Sequence, residues 1–344
     1  MKKTILLAIA TLFATVTFAQ QQLATLNHND TISVFYGSSA LVNAFTNAVD
    51  GDIITLSSGT FNAVNITKAV TIRGNGMTID TIAGTSPTII TGDFSVNIPN
   101  GSTKDLSIQA VYMSGTLTCY YAGSPTFNKC RFNNYYTIYT DQISMNNAMF
   151  VNCIVSEIKD YNSRNNQYIN CIILNLITEE YVDRQFRACT FRNCIAKISP
   201  TILTYSVNNV AAATCVNCVL FSYGYYFYYV PGANPIACNN CIGFCSEYCG
   251  GNYFTTCSNG NQNFPGFSSV FKFFNGTYSD GISFELQDSI AANVLGNDGI
   301  QIGVYGGMVP FNPRVNTPRY VNCSVAPHTT LDGKLSVDIE VVSE

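Results

Sequence analysis

The feature that most constrains this chain is a four-residue phrase that ends in cysteine and returns at nearly constant intervals. It reads Phe127-Asn128-Lys129-Cys130, Phe150-Val151-Asn152-Cys153, Tyr168-Ile169-Asn170-Cys171 and Phe191-Arg192-Asn193-Cys194. Cys215-Val216-Asn217-Cys218 and Cys238-Asn239-Asn240-Cys241 follow. The pattern is an aromatic residue (later Cys), any residue, Asn, Cys, then Ile or Val. The first copy departs from it, with Lys129 in the Asn place and Arg131 after the Cys. Successive final cysteines, 130, 153, 171, 194, 218 and 241, lie 23, 18, 23, 24 and 23 residues apart. Six copies at such a period mean a stacked repeat, in which each unit buries its apolar face against its neighbours.

The residues between copies are short extended runs of Val, Ile, Thr, Tyr, Phe and Asn, broken by Asn, Gly and Ser. No amphipathic helical spacing occurs within a repeat, and the leucine ladder of a leucine-rich repeat is missing. Parity then says how the phrase is used. An aromatic residue and a Cys three apart face opposite sides of a straight strand, so both point inward only if the chain bends between them. Asn, which tolerates the left-handed conformation, stands at that bend. Cysteine in such a corner acts as a small hydrophobe, and stacked Asn side chains can hydrogen-bond along the column.

These inward stacks and the Asn column resemble the pectin-lyase-like superfamily. The resemblance implies an all-β fold, a single-stranded right-handed parallel β-helix with an N-terminal cap helix. Ser38–Val49 has helical apolar spacing, with Ser at its start and Gly51 beyond its end, and reads as that cap. The run from Gly51 to Gly76, GDIITLSSGTF…ITKAVTIRGNG, looks like the first coils. Gly299–Gly307 resembles the closing segment of secreted bacterial β-helix proteins. Residues 53–310 at this period make roughly eleven coils, or about 50 Å of stack. Lys334–Val341 alternates like a strand of a small extra sheet or of an anchoring module. The domain reading is a signal peptide over 1–19, the β-helix with its cap over 20–312, and a short strand segment over 313–344.

The compartment follows from the N-terminus. Lys2 and Lys3, an apolar stretch Ile5–Phe18 and the small residue Ala19 form a secretory signal, too short for a membrane span. The expected location is therefore exported, with no transmembrane segment and a monomeric state. Nucleic acid is excluded as a partner: charged residues are 11% of the chain and the net charge is −4. Histidine occurs only at His28 and His328, which argues against imidazole catalysis in the coils.

Fourteen cysteines in an exported chain suggest disulfides, and the paired Cys-x-x-Cys phrases at 215–218 and 238–241 suggest zinc. The repeat accounts for eight of the fourteen as interior rungs. One disulfide among Cys245, Cys249 and Cys257 stays open.

Charge is concentrated elsewhere. Eleven charged residues lie between Glu157 and Lys197, against Glu247 alone between Ile198 and Phe271. A tyrosine also follows each ladder cysteine at roughly similar spacing: Tyr139, Tyr161, Tyr181, Tyr205 and Tyr228. Aligning on these tyrosines sets Asp160 beside Glu180, Lys159 beside Glu179 and Arg164 beside Arg184, with Asp141 and Asp183 on one line. Stacked carboxylates exchange protons or hold Ca²⁺, arginines hold an acid group, and tyrosines stack on sugar rings. The candidate site is thus Arg164, Arg184, Asp160 and Glu180 for chemistry, the five tyrosines for substrate, and Asp141 and Asp183 for a metal. The cofactor is none, or Ca²⁺. The partner is a polysaccharide or cell-surface glycan, bound or cleaved by lyase-type chemistry. The other reading is a non-catalytic adhesion protein, with the charges serving only to keep a flat face soluble. The His-containing signature of pectate lyases and the Asp-Asp, Gly-His-Gly and Arg-Ile-Lys elements of polygalacturonases are missing, so no family's catalytic residues carry over.

Overall fold

The computed structural model describes residues 22–81, 84–98, 104–137, 145–159, 163–177, 188–198, 213–223, 236–246, 259–315, 319–325, 333–334 and 337–342. The protein is mainly β, and its strands form two long parallel sheets between which the chain alternates, an arrangement compatible with a β-helix. The first sheet runs from Ile53–Leu56 through Thr71–Arg73, Ser107–Gln109, Thr126–Asn128 and Met149–Val151 to Ile236–Asn239. The second runs from Gly59–Asn62 through Tyr112–Tyr121, Arg131–Thr137 and Ile154–Lys159 to Gln262–Phe264.

The corner between the sheets is the repeated phrase. Lys129, Asn152, Asn170, Asn193, Asn217 and Asn240 all have φ between 50° and 56°, and Ala110 continues the column at 57°. The bend turns the aromatic residue and the Cys inward together. Phe127, Phe150, Tyr168 and Phe191 are fully buried, as are Cys130, Cys153, Cys171, Cys194 and Cys218. Their rings stack at 4.8, 4.7 and 4.7 Å, with interplanar angles falling from 20° to 6°. That spacing is the inter-strand distance itself, so the backbone ladder imposes the stack.

The residue after each cysteine points out of the coil, yet Ile154, Ile172, Ile195, Val219 and Ile242 are all buried. Residues 267–315 cover them. Coils expected to continue to residue 310 instead stop near Phe264, and the chain turns back along the stack as a strap. Phe271, Phe274, Phe284, Ile290, Val294, Ile302, Val304 and Phe311 pack on the outward Ile/Val stripe as a second apolar cluster. Burying each of those five outward side chains stabilises the fold by up to about 1.5–3 kcal/mol. The strap is the reason the repeat keeps a β-branched residue on an outer face.

The Gly-rich run 299–307 is part of this strap and not a closing strand. Asn170 Nδ2 donates to the carbonyls of Val304 and Gly306, both at 2.8 Å. Asn217 Nδ2 donates to Asn297 Oδ1 at 3.0 Å, and the Gly303 amide donates to the Asn217 carbonyl. At Asn170 and Asn217 the amide that could have bonded along the column holds the strap instead. Gly307, at φ 72°, lies so close to Asn193 that a Cβ there would run into its amide. At the far end Lys129 donates to the Arg314 carbonyl, and Arg131 pairs with Asp280 at 2.7 Å while lying over the Tyr112 and Tyr278 rings. The two departures of the first repeat copy are therefore strap contacts.

At the N-terminal end the cap helix spans Ala40–Asn47, shorter than the expected Ser38–Val49. Ser39 makes no side-chain cap; its hydroxyl accepts from Asn62 Nδ2 at 3.2 Å. The C-terminus is closed by Lys68, whose ammonium donates to the carbonyls of Phe45, Thr46 and Ala48. A lysine on these carbonyls also complements the helix dipole. A hairpin, Leu23–His28 with Thr31–Tyr36, pairs antiparallel with Ile53–Leu56 and ends the first sheet. Near the C-terminus Arg319–Val325 and Val337–Val342 form a separate two-stranded antiparallel sheet, so the alternating segment is a strand of a small extra sheet.

Candidate functional site

Where Met145–Asn146 pairs in parallel with Ser163–Arg164, the connection from the second sheet back to the first carries a short third side. Met145 and Ser163 are fully buried, while Arg164 alternates to the outer face beside Asn146. A second column of left-handed turns follows at Asn147, Asn165 and Ala188, and Asn165 Nδ2 donates to Asn146 Oδ1 at 3.2 Å. The Asn pairs at 146–147 and 165–166 were the available signal for this second corner. Arg164 is half-buried, and its Nε has no hydrogen-bond partner among the described residues.

Arg164 is the sole member of the expected site within the described residues. Arg184, Asp160, Glu180, Tyr139, Tyr161, Tyr181, Tyr205, Tyr228, Asp141 and Asp183 lie outside them. So does the disulfide expected among Cys245, Cys249 and Cys257.

One part of the alignment is corrected by the strands. Lys159 stands in register with Ile177, not Glu179. The offset is that of Cys153 to Cys171, because the ladder carries the cysteine register through the whole strand. Tyr161 and Tyr181, on which the alignment was made, sit two residues out of that register.

Lys159 is engaged on its own strand. It pairs with Glu157 at 3.3 Å and lies 4.8 Å from the Tyr136 ring. Tyr136 Oη donates to Glu157 Oε1 at 2.8 Å, and Asn175 Nδ2 donates to Oε2 at 3.2 Å. Burial pushes the Glu157 carboxyl up, but the bonds from Tyr136, Lys159 and Asn175 outweigh it and hold it below the usual range. Burial and Glu157 push the Tyr136 phenol up. A carboxylate satisfied by three donors is a weak proton acceptor, so this cluster organises the face and does not supply a base.

The cysteines make two interior columns. Cys215 and Cys238 are in register where earlier coils carry rings, and Cys218 N–H donates to Cys241 Sγ at 3.4 Å. Each ladder thiol donates to a carbonyl of the preceding coil, as Cys153 does to Phe127 and Cys194 to Tyr168. Burial pushes the thiols of Cys153, Cys194, Cys218 and Cys241 up, away from the nucleophilic form. Cys119 and Cys189 are fully buried too, which extends the interior use of cysteine beyond the eight of the repeat. Among the described residues no group of three or more His, Cys, Asp or Glu is placed to hold a metal ion.

An open cavity of about 370 Å³ lies on the opposite edge of the first sheet, where the strap ends. Arg73, Gln109, Asn128, Lys129 and Val315 line it with the turns at Gly74 and Ala110. The charge band led away from this place. Its signal in the sequence was Lys129, standing where every later copy has Asn.

Among the described residues no helix is long and apolar enough to cross a membrane. No model of a known protein family matches the chain, and a search of curated proteins finds no match.

Proposed function

We propose that the chain is an exported, single-stranded right-handed parallel β-helix of the pectin-lyase-like kind that binds an acidic extracellular polysaccharide along its third side. In this reading residues 1–19 are the signal peptide, 20–312 the β-helix with its cap and strap, and 313–344 the C-terminal strand segment. Alternation of the chain between two parallel sheets supports the coil, and parallel crossovers are right-handed in nearly all folds. The observation that carries the binding reading is Arg164, a half-buried arginine that stands in register with Asn146 on the outer face of the third side. A guanidinium fork suits a carboxylate or sulfate on a sugar. Arg184 joins it in this proposal, with the tyrosines stacking on rings and Asp141 and Asp183 holding Ca²⁺ where one bridges chain and glycan.

The test is a panel of uronic-acid polysaccharides with Ca²⁺, followed both by pull-down and by absorbance of an unsaturated product. Binding without product, reduced at least tenfold in Arg164→Ala/Arg184→Ala, is the expected result. Retention of full binding in that variant would overturn the reading. Among the described residues the C-terminal strands pair with each other and with no other strand, which favours a second reading as a non-catalytic surface protein attached through that segment. An absence of glycan binding across the panel points to it.

A further inference from the structure

The N-terminal hairpin leaves one strand edge open. Thr31–Tyr36 ends the first sheet, and among the described residues no strand pairs with its outer edge. Asn29 and Asp30, at φ 48° and 63°, make the two-residue turn that leads into it. The Gly37 amide donates to the Gln22 carbonyl at 2.8 Å, so residues 22 and 37 are a hydrogen-bonded pair. Such pairs alternate along an antiparallel ladder, which makes 24 and 35, 26 and 33, and 28 and 31 hydrogen-bonded pairs as well. The amides and carbonyls of Ile32, Val34 and Tyr36 therefore face away from the sheet.

The side chains of the same three residues are uncovered too. Phe35 packs against the core, so Ile32, Val34 and Tyr36 stand on the opposite face, 65%, 43% and 57% exposed. Thr31–Tyr36 contains no charged residue and no Pro, and its register with Leu23–His28 runs without a bulge. Charges, prolines and bulges are what ordinarily keep an edge from pairing.

We propose that this edge pairs with the same edge of a second copy of the chain, antiparallel about a two-fold axis at Val34. That register joins all three outward residues: Ile32 with Tyr36, Val34 with Val34, and Tyr36 with Ile32. It forms two backbone hydrogen bonds per pair, about six in all, and sets a β-branched side chain beside an aromatic one at each end. Charge agrees with it. Asp30, exposed on the turn, comes beside Ser38 and Ser39 of the second copy, at the N-terminus of a cap helix with no acid in its own first turn. Two edges of six residues each cover less than the roughly 1,200 Å² at which stable complexes begin. The dimer is therefore reversible, half-formed between about 10 µM and 1 mM, and the monomer expected from the sequence is its dilute form. The edge uses none of the residues of the third side, so it stands or falls independently of the polymer-binding reading.

Sedimentation equilibrium on the full chain, from about 10 µM to 1 mM, tests it, and a reversible monomer–dimer curve is expected. Val34→Lys sets two ammonium groups directly across the axis and should weaken association about tenfold or more; Val34→Glu should do the same with two carboxylates. Both variants should keep the thermal midpoint, because Val34 lies outside the core. Since Val34 meets its own copy, an equimolar mixture of the two variants should regain the dimer that neither forms alone. A chain that stays monomeric at the highest concentration, a dimer unmoved by either substitution, or a mixture that stays monomeric would overturn the proposal.

Discussion

Two stretches of the same corner column carry the same backbone and opposite side-chain strategies. From Asn152 to Asn240 the corner is an amide beneath a strap, an aromatic or thiol stack within, and an Ile/Val stripe without. At Ala110 and Lys129 the corner is small or cationic, and the interior column passes from the aliphatic Ile108 and Val111 to Phe127 and Cys130. The ladder needs only the bend, which Ala, Lys or Asn can each supply here. What the side chain does is then decided by what lies over it. Asn170 and Asn217 use their amides to hold the strap, and Lys129 does so with its ammonium.

The thiols give the largest expected contrast. Burial raises the thiols of Cys153, Cys194, Cys218 and Cys241 in the folded state. Such a group favours folding fully below its unfolded pKa of about 8.5, and that advantage declines as pH rises further, because only the unfolded chain ionises. Above that point the advantage of each of these thiols is lost progressively as pH rises. Hydrogen exchange at pH 7 and 9.5 should show the Asn152–Asn240 coils losing protection while the coils before residue 111 keep theirs. Uniform loss along the stack would break the contrast.

Phe150→Ala comes next. Its ring is sandwiched between Phe127 and Tyr168 at 4.8 and 4.7 Å. The substitution should cost about 3–5 kcal/mol in urea denaturation, including the lost stacking, and Ile108→Ala in the other stretch somewhat less.

Asn170 separates the corner's two duties. Asn170→Ala loses two bonds to strap carbonyls and places a Cβ without an amide at φ 51°, for a total of about 2–3 kcal/mol. Asn170→Gly keeps the bend and loses only the strap, at about 1–2 kcal/mol. If the two variants unfold at the same urea concentration, the bend contributes nothing and the strap everything.

The corner itself could be read in advance because it obeys a local rule: three residues between two inward side chains force a bend, and Asn is the residue that bends. The interior columns follow from period alone. The strap could not be read that way. Its contacts join residues such as Asn170 and Gly306, 136 apart, with no periodicity on the strap side, and its glycines mimic a closing turn. The charged alignment failed at Lys159 for a related reason. Cysteine register is transmitted by hydrogen bonds along each strand, and it sets Lys159 beside Ile177. Of the expected site only Arg164 can be placed, on a side of the coil that the repeat phrase does not include.

The smallest effect is the most discriminating between the two stretches. Ala110 already holds φ 57°, a conformation that costs an alanine roughly 1–2 kcal/mol and an asparagine less. Ala110→Asn should therefore stabilise the protein, by at most about 1 kcal/mol, if the space beside it is empty as the cavity implies. Were that space filled by strap side chains, the added amide would overpack it and lower stability by about 1–3 kcal/mol instead. The sign of the change in urea midpoint thus reports whether the strap stands clear of the corner at this end. A rise would mean that the Asn of the later coils is the better corner residue, and that the early coils have given up its amide for open volume.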